Sequence, residues 1–191
     1  MTGPLEDITV IDMTRVLAGP YATMWLADLG AEIIKVERPG SGDDTRQYGP
    51  PFINGESAYF ISINRNKRSM TLNFKKPEGK EILRGLIEEA DVLIENFRPG
   101  TLEDAGFGYD DVTEYNSDII YTSISGFGQD GPFKNEPGFD LSIQGLSGLM
   151  SLTGDPDGPP TKFGTSISDL LSGVYASKGT IAALYHREKT G

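Results

Sequence analysis

The 191-residue sequence contains no cysteine and only one histidine, His186, close to its C-terminus. The lack of cysteine excludes disulfides, thiolate nucleophiles, iron–sulfur clusters and thiolate zinc sites from this chain. The single histidine argues against a histidine-rich metal site and against a Ser-His-Asp triad. We therefore expect no metal site, and we interpret His186 as a solvated residue at the end of a helix.

Long apolar runs and an excess of basic residues are also missing. No stretch reaches the roughly 18 consecutive apolar residues of a membrane span, and the N-terminus lacks the basic-then-apolar pattern of a signal peptide. The 17 Lys and Arg residues against 28 Asp and Glu residues give a net charge of −11. Such a charge would repel a phosphate backbone. We expect a soluble, cytoplasmic protein with no nucleic-acid partner and no membrane partner.

Glycine is abundant, with 24 residues, and strand-like segments alternate with helix-like ones. Apolar runs predict strands at 8–13, 31–37, 58–63, 69–74, 91–95 and 118–125. Helical periodicity predicts helices at 21–29, 77–90, 139–150 and 168–185, with a short helical stretch between the last two strands. This alternation is typical of a doubly wound, mostly parallel, Rossmann-like α/β sheet.

The segment Gly126-Phe127-Gly128-Gln129-Asp130-Gly131 matches the dinucleotide-binding pattern letter for letter. That pattern has to open a helix whose N-terminus faces a pyrophosphate. Pro132 follows at once, and no helical periodicity begins there. We therefore interpret the segment as a flexible loop at the end of a strand, where ligand crevices of α/β sheets are found.

Basic residues cluster at the predicted strand ends: Arg38, Arg65, Lys67, Arg68, Lys75 and Arg98. Strand ends on one edge converge, so several of these residues could meet a phosphate-bearing ligand. The alternative is that they are ordinary solvated charges.

Asp169 is the carboxylate of most interest, because it opens the long helix after the Gly-rich segment. Ser166 or Ser168 could cap that helix, and the helix dipole would stabilise the Asp169 anion. An ionised carboxylate in that place suits a nucleophile. The alternative is that an aspartate in a first helical turn is common helix chemistry.

Several motifs in order resemble the N-terminal part of the class III (CaiB/BaiF-type) coenzyme A transferases. They are Asp12-Met13-Thr14-Arg15-Val16-Leu17-Ala18-Gly19-Pro20, Asp28-Leu29-Gly30-Ala31-Glu32, Lys35-Val36-Glu37-Arg38-Pro39-Gly40, Gly42-Asp43-Asp44-Thr45-Arg46, Asn64-Arg65-Asn66-Lys67-Arg68-Ser69, Glu95-Asn96-Phe97-Arg98-Pro99-Gly100, Ser125-Gly126-Phe127-Gly128 and the segment around Asp169. The resemblance covers the whole chain.

The resemblance implies an enzyme that transfers CoA from an acyl-CoA to a carboxylic acid without a metal or organic cofactor. It assigns the nucleophile to Asp169, which would form a mixed anhydride and then an aspartyl-CoA thioester. It also implies CoA contacts at Leu17, Ala18, Arg38, Leu72, Asn73, Phe74, Lys75, Asn96, Phe97 and Arg98.

Two departures bear on the branch of the family. Leu17 replaces the glutamine of the formyl-CoA–oxalate branch, which argues against oxalate chemistry. Phe139 replaces the catalytic histidine of the racemase branch, which disfavours racemisation. The runs from Asp12 to Pro20 and from Gly40 to Phe52 look most like the dicarboxylate branch, which handles succinyl, glutaryl or hydroxymethylglutaryl groups. A racemase or epimerase, or an inactive truncated CoA-binding fragment, stays open as an alternative.

Family chains are about twice as long and form interlocked homodimers. The resemblance therefore implies that residues 1–191 are the N-terminal portion of the large CoA-binding α/β domain. The small domain and the C-terminal return to the large domain would then be absent from this chain.

Overall fold

The computed structural model describes residues 3–191, in which a five-stranded, wholly parallel sheet carries helices on both faces. The strand order β5-β2-β1-β6-β7 places β1 at the centre, and the chain reverses its direction of winding between β1 and β6. In open α/β sheets, ligands bind outside the carboxyl ends of the strands at such a reversal. The doubly wound parallel sheet predicted from the sequence is confirmed.

The strands of this sheet are β1 (Thr9–Asp12), β2 (Glu32–Glu37), β5 (Lys67–Thr71), β6 (Val92–Glu95) and β7 (Ile120–Ser123). A small antiparallel hairpin joins β3 (Phe52–Ile53) to β4 (Glu56–Ser57). The helices are α1 (Ala18–Asp28), α2 (Ala58–Ile63), α3 (Pro77–Glu88), α4 (Tyr109–Thr113), α5 (Asp140–Leu146) and α6 (Ile167–Thr190). Short 3₁₀ helices lie at Asp44–Gln47 and Leu149–Leu152.

Two hydrophobic layers sandwich the sheet. On one face Leu26 of α1 and Leu184 of α6 pack against Val10, Ile33 and other strand residues. The layer on the other face includes Leu83 and Ile87 of α3 and Val112 of α4, with Ile11 and Leu93 from the strands. Neighbouring residues of one strand thus face opposite layers, which explains why the central strands are apolar throughout.

One predicted element is wrong: residues 58–63 form helix α2 and not a strand. Aromatic and β-branched residues fill this segment, and that composition favours a strand locally. The structure overrides the preference by capping both ends of the helix. The Ser57 hydroxyl accepts a hydrogen bond from Phe60 N at 3.2 Å, and the Asn64 amide donates to Phe60 O at 3.0 Å.

Helix α6 is the longest element, with 24 residues, and His186 is an exposed residue within it, in agreement with the expectation. Helix α5 begins at Asp140, so no helix follows the glycine pattern of 126–131 directly, as predicted. Within residues 3–191, no helix combines the length and the apolar character needed to cross a bilayer.

Candidate active site

Two connected cavities lie at the carboxyl ends of the strands. The first, here called the strand-end cavity, has a volume of about 540 Å³ and is bounded by the residues that follow β1, β2 and β5. The second, the Asp169 cavity, has a volume of about 400 Å³ and lies between the β1–α1 loop, the Gly-rich segment and the start of α6. Four residues line both cavities: Arg15, Asp44, Phe97 and Arg98. The two cavities therefore form one continuous groove.

The groove brings together every residue to which the family resemblance assigned a role. The strand-end cavity is lined by Arg38, Leu72, Asn73, Phe74, Lys75, Phe97 and Arg98. The Asp169 cavity is lined by Leu17, Ala18, Asn96, Phe97, Arg98 and Asp169. These residues come from five separate parts of the sequence. The parallel topology brings the strand ends to one edge, and helix α6 adds Asp169.

The loop between β1 and α1 lines both cavities and is held in an unusual conformation. Val16 has a φ of +69°, in the left-handed region that β-branched residues rarely adopt. Asn96 fixes this loop: Arg15 N donates to Asn96 Oδ1 at 2.9 Å, and Asn96 Nδ2 donates to Arg15 O at 2.8 Å. Both polar groups of the Asn96 side chain are thereby used to position the loop. Its predicted contact with CoA stays a prediction.

A buried layer of ion pairs supports the floor of the strand-end cavity. Lys35 Nζ lies 3.0 Å from Asp43 Oδ2 and donates to Thr14 O at 2.8 Å. Lys67 Nζ donates to Asp12 Oδ2 at 3.2 Å. Burial raises the pKa of Asp12, but Lys67, Lys35 and two hydroxyl groups outweigh it and hold that pKa well below its usual range. Burial in turn lowers the pKa of Lys67 to about 8.

Glu37, at the end of β2, belongs to the same layer and accepts several hydrogen bonds. Its carboxylate accepts hydrogen bonds from Arg46 Nε at 2.8 Å and Nη2 at 2.6 Å, from Ser69 Oγ at 2.5 Å and from Asp43 N at 2.8 Å. Burial raises the pKa of Glu37, and these donors outweigh that effect and lower it to about 2. The loop that carries Arg38, Asp43 and Asp44 is therefore tied to two strands.

Asp169 lies in the first turn of α6, as predicted, but its environment differs from the expectation. Burial is the larger cause and the nearby Asp140 carboxylate the smaller, and together they raise the pKa of Asp169 from 3.8 to about 6. The stabilisation of the Asp169 anion by the helix dipole does not outweigh these two causes. The carboxylate is still ionised at neutral pH, and it is more basic than an ordinary aspartate.

The predicted cap by Ser166 or Ser168 is wrong. The Ser166 side chain makes no capping hydrogen bond, and the Asp140 carboxylate caps α6 from the start of α5. Asp140 Oδ1 accepts from Ser168 N at 2.8 Å and from Asp169 N at 3.4 Å. A tertiary contact thus satisfies the backbone donors that the sequence assigned to a neighbouring serine.

Gln144 completes this arrangement from a fully buried position. Its Nε2 donates to Asp140 Oδ2 at 2.6 Å, and its Oε1 accepts from Phe163 N at 2.9 Å. Gly126 and Gly138 close the loop that leads to α5, because a Cβ on either one would lie 2.3 Å from the Cα of the other. Both ends of the Gly-rich segment are therefore fixed close to Asp169.

The chain matches the family model described as CoA-transferase family III over residues 5–191. The chain belongs to CoA-transferase family III. A succinyl-CoA:glutarate CoA-transferase of Mus musculus is 50% identical over 188 residues, 98% of this chain and 43% of that protein. An acetyl-CoA:oxalate CoA-transferase of Acetobacter aceti is 50% identical over 190 residues, 99% of this chain and 49% of that protein.

The fold of this family III chain agrees with a solved relative. A CaiB/BaiF family protein from Brucella suis matches with a TM-score of 0.96 and 46% identity, covering 100% of this chain and 51% of that one. The chain thus spans about half the length of the relatives it matches. The family resemblance read from the sequence is confirmed.

Three of the six strand-end basic residues line neither cavity: Arg65, Lys67 and Arg68. Lys67 is buried against Asp12. Arg65 donates to the Asp28 carboxylate at the end of α1, and Arg68 pairs with Glu32 at the start of β2. Both therefore lie at the amino end of the sheet, because β5 begins at Lys67 and runs parallel to β2. These two residues therefore do not converge with the other strand-end cations, and they follow the alternative of ordinary surface charges.

Three residues of the groove were missed as site candidates by the sequence reasoning: Arg15, Asp44 and Asp140. Arg15 and Asp44 belong to motifs that carry the family resemblance, and this could have identified them as candidate site residues. Asp140 gave only the ordinary sign of an acidic residue at a helix start. Within residues 3–191, no group of three or more His, Cys, Asp or Glu side chains is placed to hold a metal ion.

Proposed function

We propose that this chain binds CoA in the groove and transfers it from an acyl-CoA to a carboxylic acid, with Asp169 as the nucleophile. The observation that carries the proposal is a partly buried, basic carboxylate at one end of a continuous groove whose other end is lined by Arg38 and Lys75, with Arg98 where the two cavities join. Cations at one end suit the anionic nucleotide part of CoA. The cavity at the other end would receive the thioester.

The reaction proceeds by two kinds of acyl exchange on Asp169. An Asp169 oxygen attacks the thioester carbonyl, the C–S bond breaks, and a mixed anhydride and free CoA thiolate result. The thiolate then attacks the aspartyl carbonyl, which releases the first carboxylate and leaves an aspartyl-CoA thioester. The carboxylate of the second acid attacks the carbonyl of this thioester, the C–S bond breaks, and a second mixed anhydride and free thiolate result. The thiolate then attacks the acyl carbonyl of that anhydride, which gives the new acyl-CoA and regenerates the Asp169 carboxylate. No metal or organic cofactor is required, and no net proton transfer takes place.

The raised pKa of Asp169 supports this role. A carboxylate with a pKa of about 6 is ionised at neutral pH, yet it is a stronger nucleophile than a fully solvated aspartate.

We place the acid substrates among the dicarboxylates. The relatives reported above carry the names of succinate, glutarate and oxalate, and a further relative from Haloarcula marismortui is named for mesaconate at 48% identity. Oxalate stays within this class, because the oxalate enzyme is as similar to this chain as the glutarate enzyme. The prediction that Leu17 argues against oxalate is therefore tested best by direct assay.

The resemblance also supplies three proposals about the whole protein. Residues 1–191 form the N-terminal portion of a large CoA-binding domain. The protein acts as an interlocked homodimer, and it works in the cytoplasm. Size-exclusion chromatography with light scattering tests the dimer.

The decisive experiment is to incubate the chain with succinyl-CoA and to search tryptic peptides by mass spectrometry for a CoA thioester on Asp169. We expect the adduct in the wild type, and we expect hydroxylamine to convert it to a hydroxamate at the same residue. D169N removes the nucleophile with little change in shape and should give neither product. D155N alters an exposed aspartate of the Gly-rich segment and should leave the adduct unchanged.

The same samples separate the alternatives. A wild type that binds CoA but never forms the adduct, also when extended to the length of its relatives, contradicts the proposal. Exchange of the α-proton of an acyl-CoA in deuterated water, without acid exchange, would instead indicate a racemase. Binding without either reaction would identify a CoA-binding fragment.

A further inference from the structure

A single carboxylate lies between two guanidinium groups where the two cavities join. Asp44 Oδ1 accepts a hydrogen bond from Arg38 Nη2 at 2.8 Å, and Asp44 Oδ2 lies 3.5 Å from Arg15 Nη1. Arg15 and Asp44 line both cavities, and Arg38 lines the strand-end cavity. Two cations that face the groove are therefore already engaged by an anion of the chain itself.

The ion pairs of Asp44 are accessible to an incoming anion. The side chains of Arg15, Arg38 and Asp44 are 52%, 61% and 40% exposed, whereas those of the neighbouring pair Lys35 and Asp43 are 1% exposed each. Exposed ion pairs are weak and are readily replaced by other charges, while a buried pair is not. Of two consecutive aspartates, one anchors the loop and the other can be displaced.

The loop does not have to move for this displacement. Asp43 Oδ1 accepts hydrogen bonds from Thr45 N at 3.0 Å, from Thr45 Oγ1 at 2.7 Å and from Val16 N at 3.3 Å. These bonds fix the backbone on both sides of Asp44. Rotation of the Asp44 side chain into solvent is then enough to free both arginines.

We infer that Arg15 and Arg38 bind the diphosphate of the ligand, and that Asp44 is an internal competitor for the same two arginines. The inference rests on the proposed function, because CoA carries its diphosphate between the nucleotide and the pantetheine arm. Those two parts would occupy the strand-end cavity and the Asp169 cavity, so the diphosphate falls at their junction. Asp44 lowers the affinity for CoA and speeds its release by taking its place on the arginines.

Calorimetric titration with CoA and with ADP tests the inference on the 191-residue chain. D44N removes the competing charge and keeps the side-chain volume, so we expect both ligands to bind about threefold tighter or more. R15Q should weaken both ligands about tenfold and should reduce the dependence of their affinity on KCl concentration. Neither variant should change the melting temperature of the free chain by more than a few degrees.

Matched controls come from an exposed ion pair at the other end of the sheet. E32Q and R68Q break the Glu32–Arg68 pair and make the same changes in net charge as D44N and R15Q. We expect both to leave the affinity for ADP and CoA unchanged. If E32Q tightens binding as much as D44N does, the gain in affinity comes from the change in net charge and not from the release of Arg15 and Arg38. That result overturns the inference.

Other outcomes are equally clear. Unchanged or weaker binding to D44N overturns the inference, and so does the absence of ADP and CoA binding in both the wild type and D44N. A large drop in melting temperature in R15Q, with no change in salt dependence, would make Arg15 a structural residue only. Because ADP binding does not need Asp169, the inference survives if D44N tightens ADP but no adduct forms on Asp169.

Discussion

At the scale of single residues, the environment of a carboxylate decides its chemistry more than its place in an element does. Asp140 and Asp169 both lie in the first turn of a helix. Asp140 accepts three hydrogen bonds and serves as the cap of α6, whereas Asp169 is partly buried and has a raised pKa. The environment of Asp169 depends on Asp140, because the charge of Asp140 contributes to the raised pKa of Asp169.

The raised pKa of Asp169 predicts a pH dependence of the chemistry. We expect the rate of adduct formation with succinyl-CoA to rise with pH, with a midpoint near pH 6, and to level off about one pH unit higher, as the carboxylate ionises. A ¹³C-NMR titration of the aspartate carboxyl groups measures the same pKa without any activity. A titration midpoint close to 4 in that experiment would contradict the buried environment.

D140N separates the two causes of that shift. The asparagine oxygen can still accept from Ser168 N, but the negative charge is gone, so the pKa of Asp169 should fall while part of the shift, due to burial, persists. D140A also removes the cap and should lower the free energy of unfolding by about 1–2 kcal/mol more than D140N does. Equal pKa values in the wild type and D140N would show that Asp140 does not act on Asp169.

At the scale of elements, the contact between α1 and α6 holds the nucleophile beside the β1–α1 loop. Gly173 of α6 packs directly on the first turn of α1, since a Cβ there would lie 2.6 Å from Ala18 O and 3.3 Å from Ala22 N. Leu17 and Ala18, at the same end of α1, line the Asp169 cavity. The close approach of the two helices therefore sets the width of the cavity.

Gly173→Ala should destabilise the chain and reduce adduct formation, because α6 must move away from backbone atoms that cannot yield. We expect a loss of about 1–3 kcal/mol in the free energy of unfolding, measured with urea. Gly179 is the matched control in the same helix, because a Cβ there meets nothing within 4 Å. G179A should raise the stability by up to about 1 kcal/mol through helix propensity and leave adduct formation unchanged. Equal effects of both substitutions would contradict the packing argument.

At the scale of the whole molecule, a layer of buried charges lies beneath the groove and joins the carboxyl ends of β1 and β2 to β5. Asp12, Lys35, Glu37 and Lys67 all belong to strands. Two of their partners, Thr14 and Asp43, belong to loops that line the strand-end cavity. Buried charges are costly unless they are paired and hydrogen-bonded. The layer therefore ties the geometry of the groove to the integrity of the sheet.

Glu37 provides a test of this layer through pH. Its pKa falls from 4.5 to about 2 on folding, so the stabilisation by the ionised form is complete above pH 4.5 and is lost as the pH falls towards 2. E37Q should lower the free energy of unfolding by about 1–2 kcal/mol at pH 7, allowing for solvent screening, and by progressively less below pH 4.5. Urea unfolding of both proteins across this range measures the difference.

The exposed pair Glu32–Arg68 serves as the reference for that measurement. E32Q should lower the free energy of unfolding by less than about 1 kcal/mol at pH 7. If E37Q lowers the free energy of unfolding by the same amount at every pH from 7 to 3, the lowered pKa of Glu37 is contradicted.

The sequence by itself determined the parallel α/β class, the family and the place of Asp169 at the start of a long helix. These follow from periodicities and from motifs in order, which are local or nearly local properties of a chain. It also determined which strand ends carry cations, although not which of them meet: Arg38 and Arg98 line the groove, while Arg65 and Arg68 pair at the opposite end of the sheet.

Only the tertiary structure decided how these groups behave. The cap of α6 comes from Asp140, 28 residues before Ser168, and the helix at 58–63 forms against its local preference because its ends are capped. The ionisation of Asp169 depends on burial that no local pattern encodes. Contacts between distant parts of the chain determine the pKa values and decide which ion pairs can be displaced. Both properties depend on the distance between charges and on their desolvation, and not on sequence spacing.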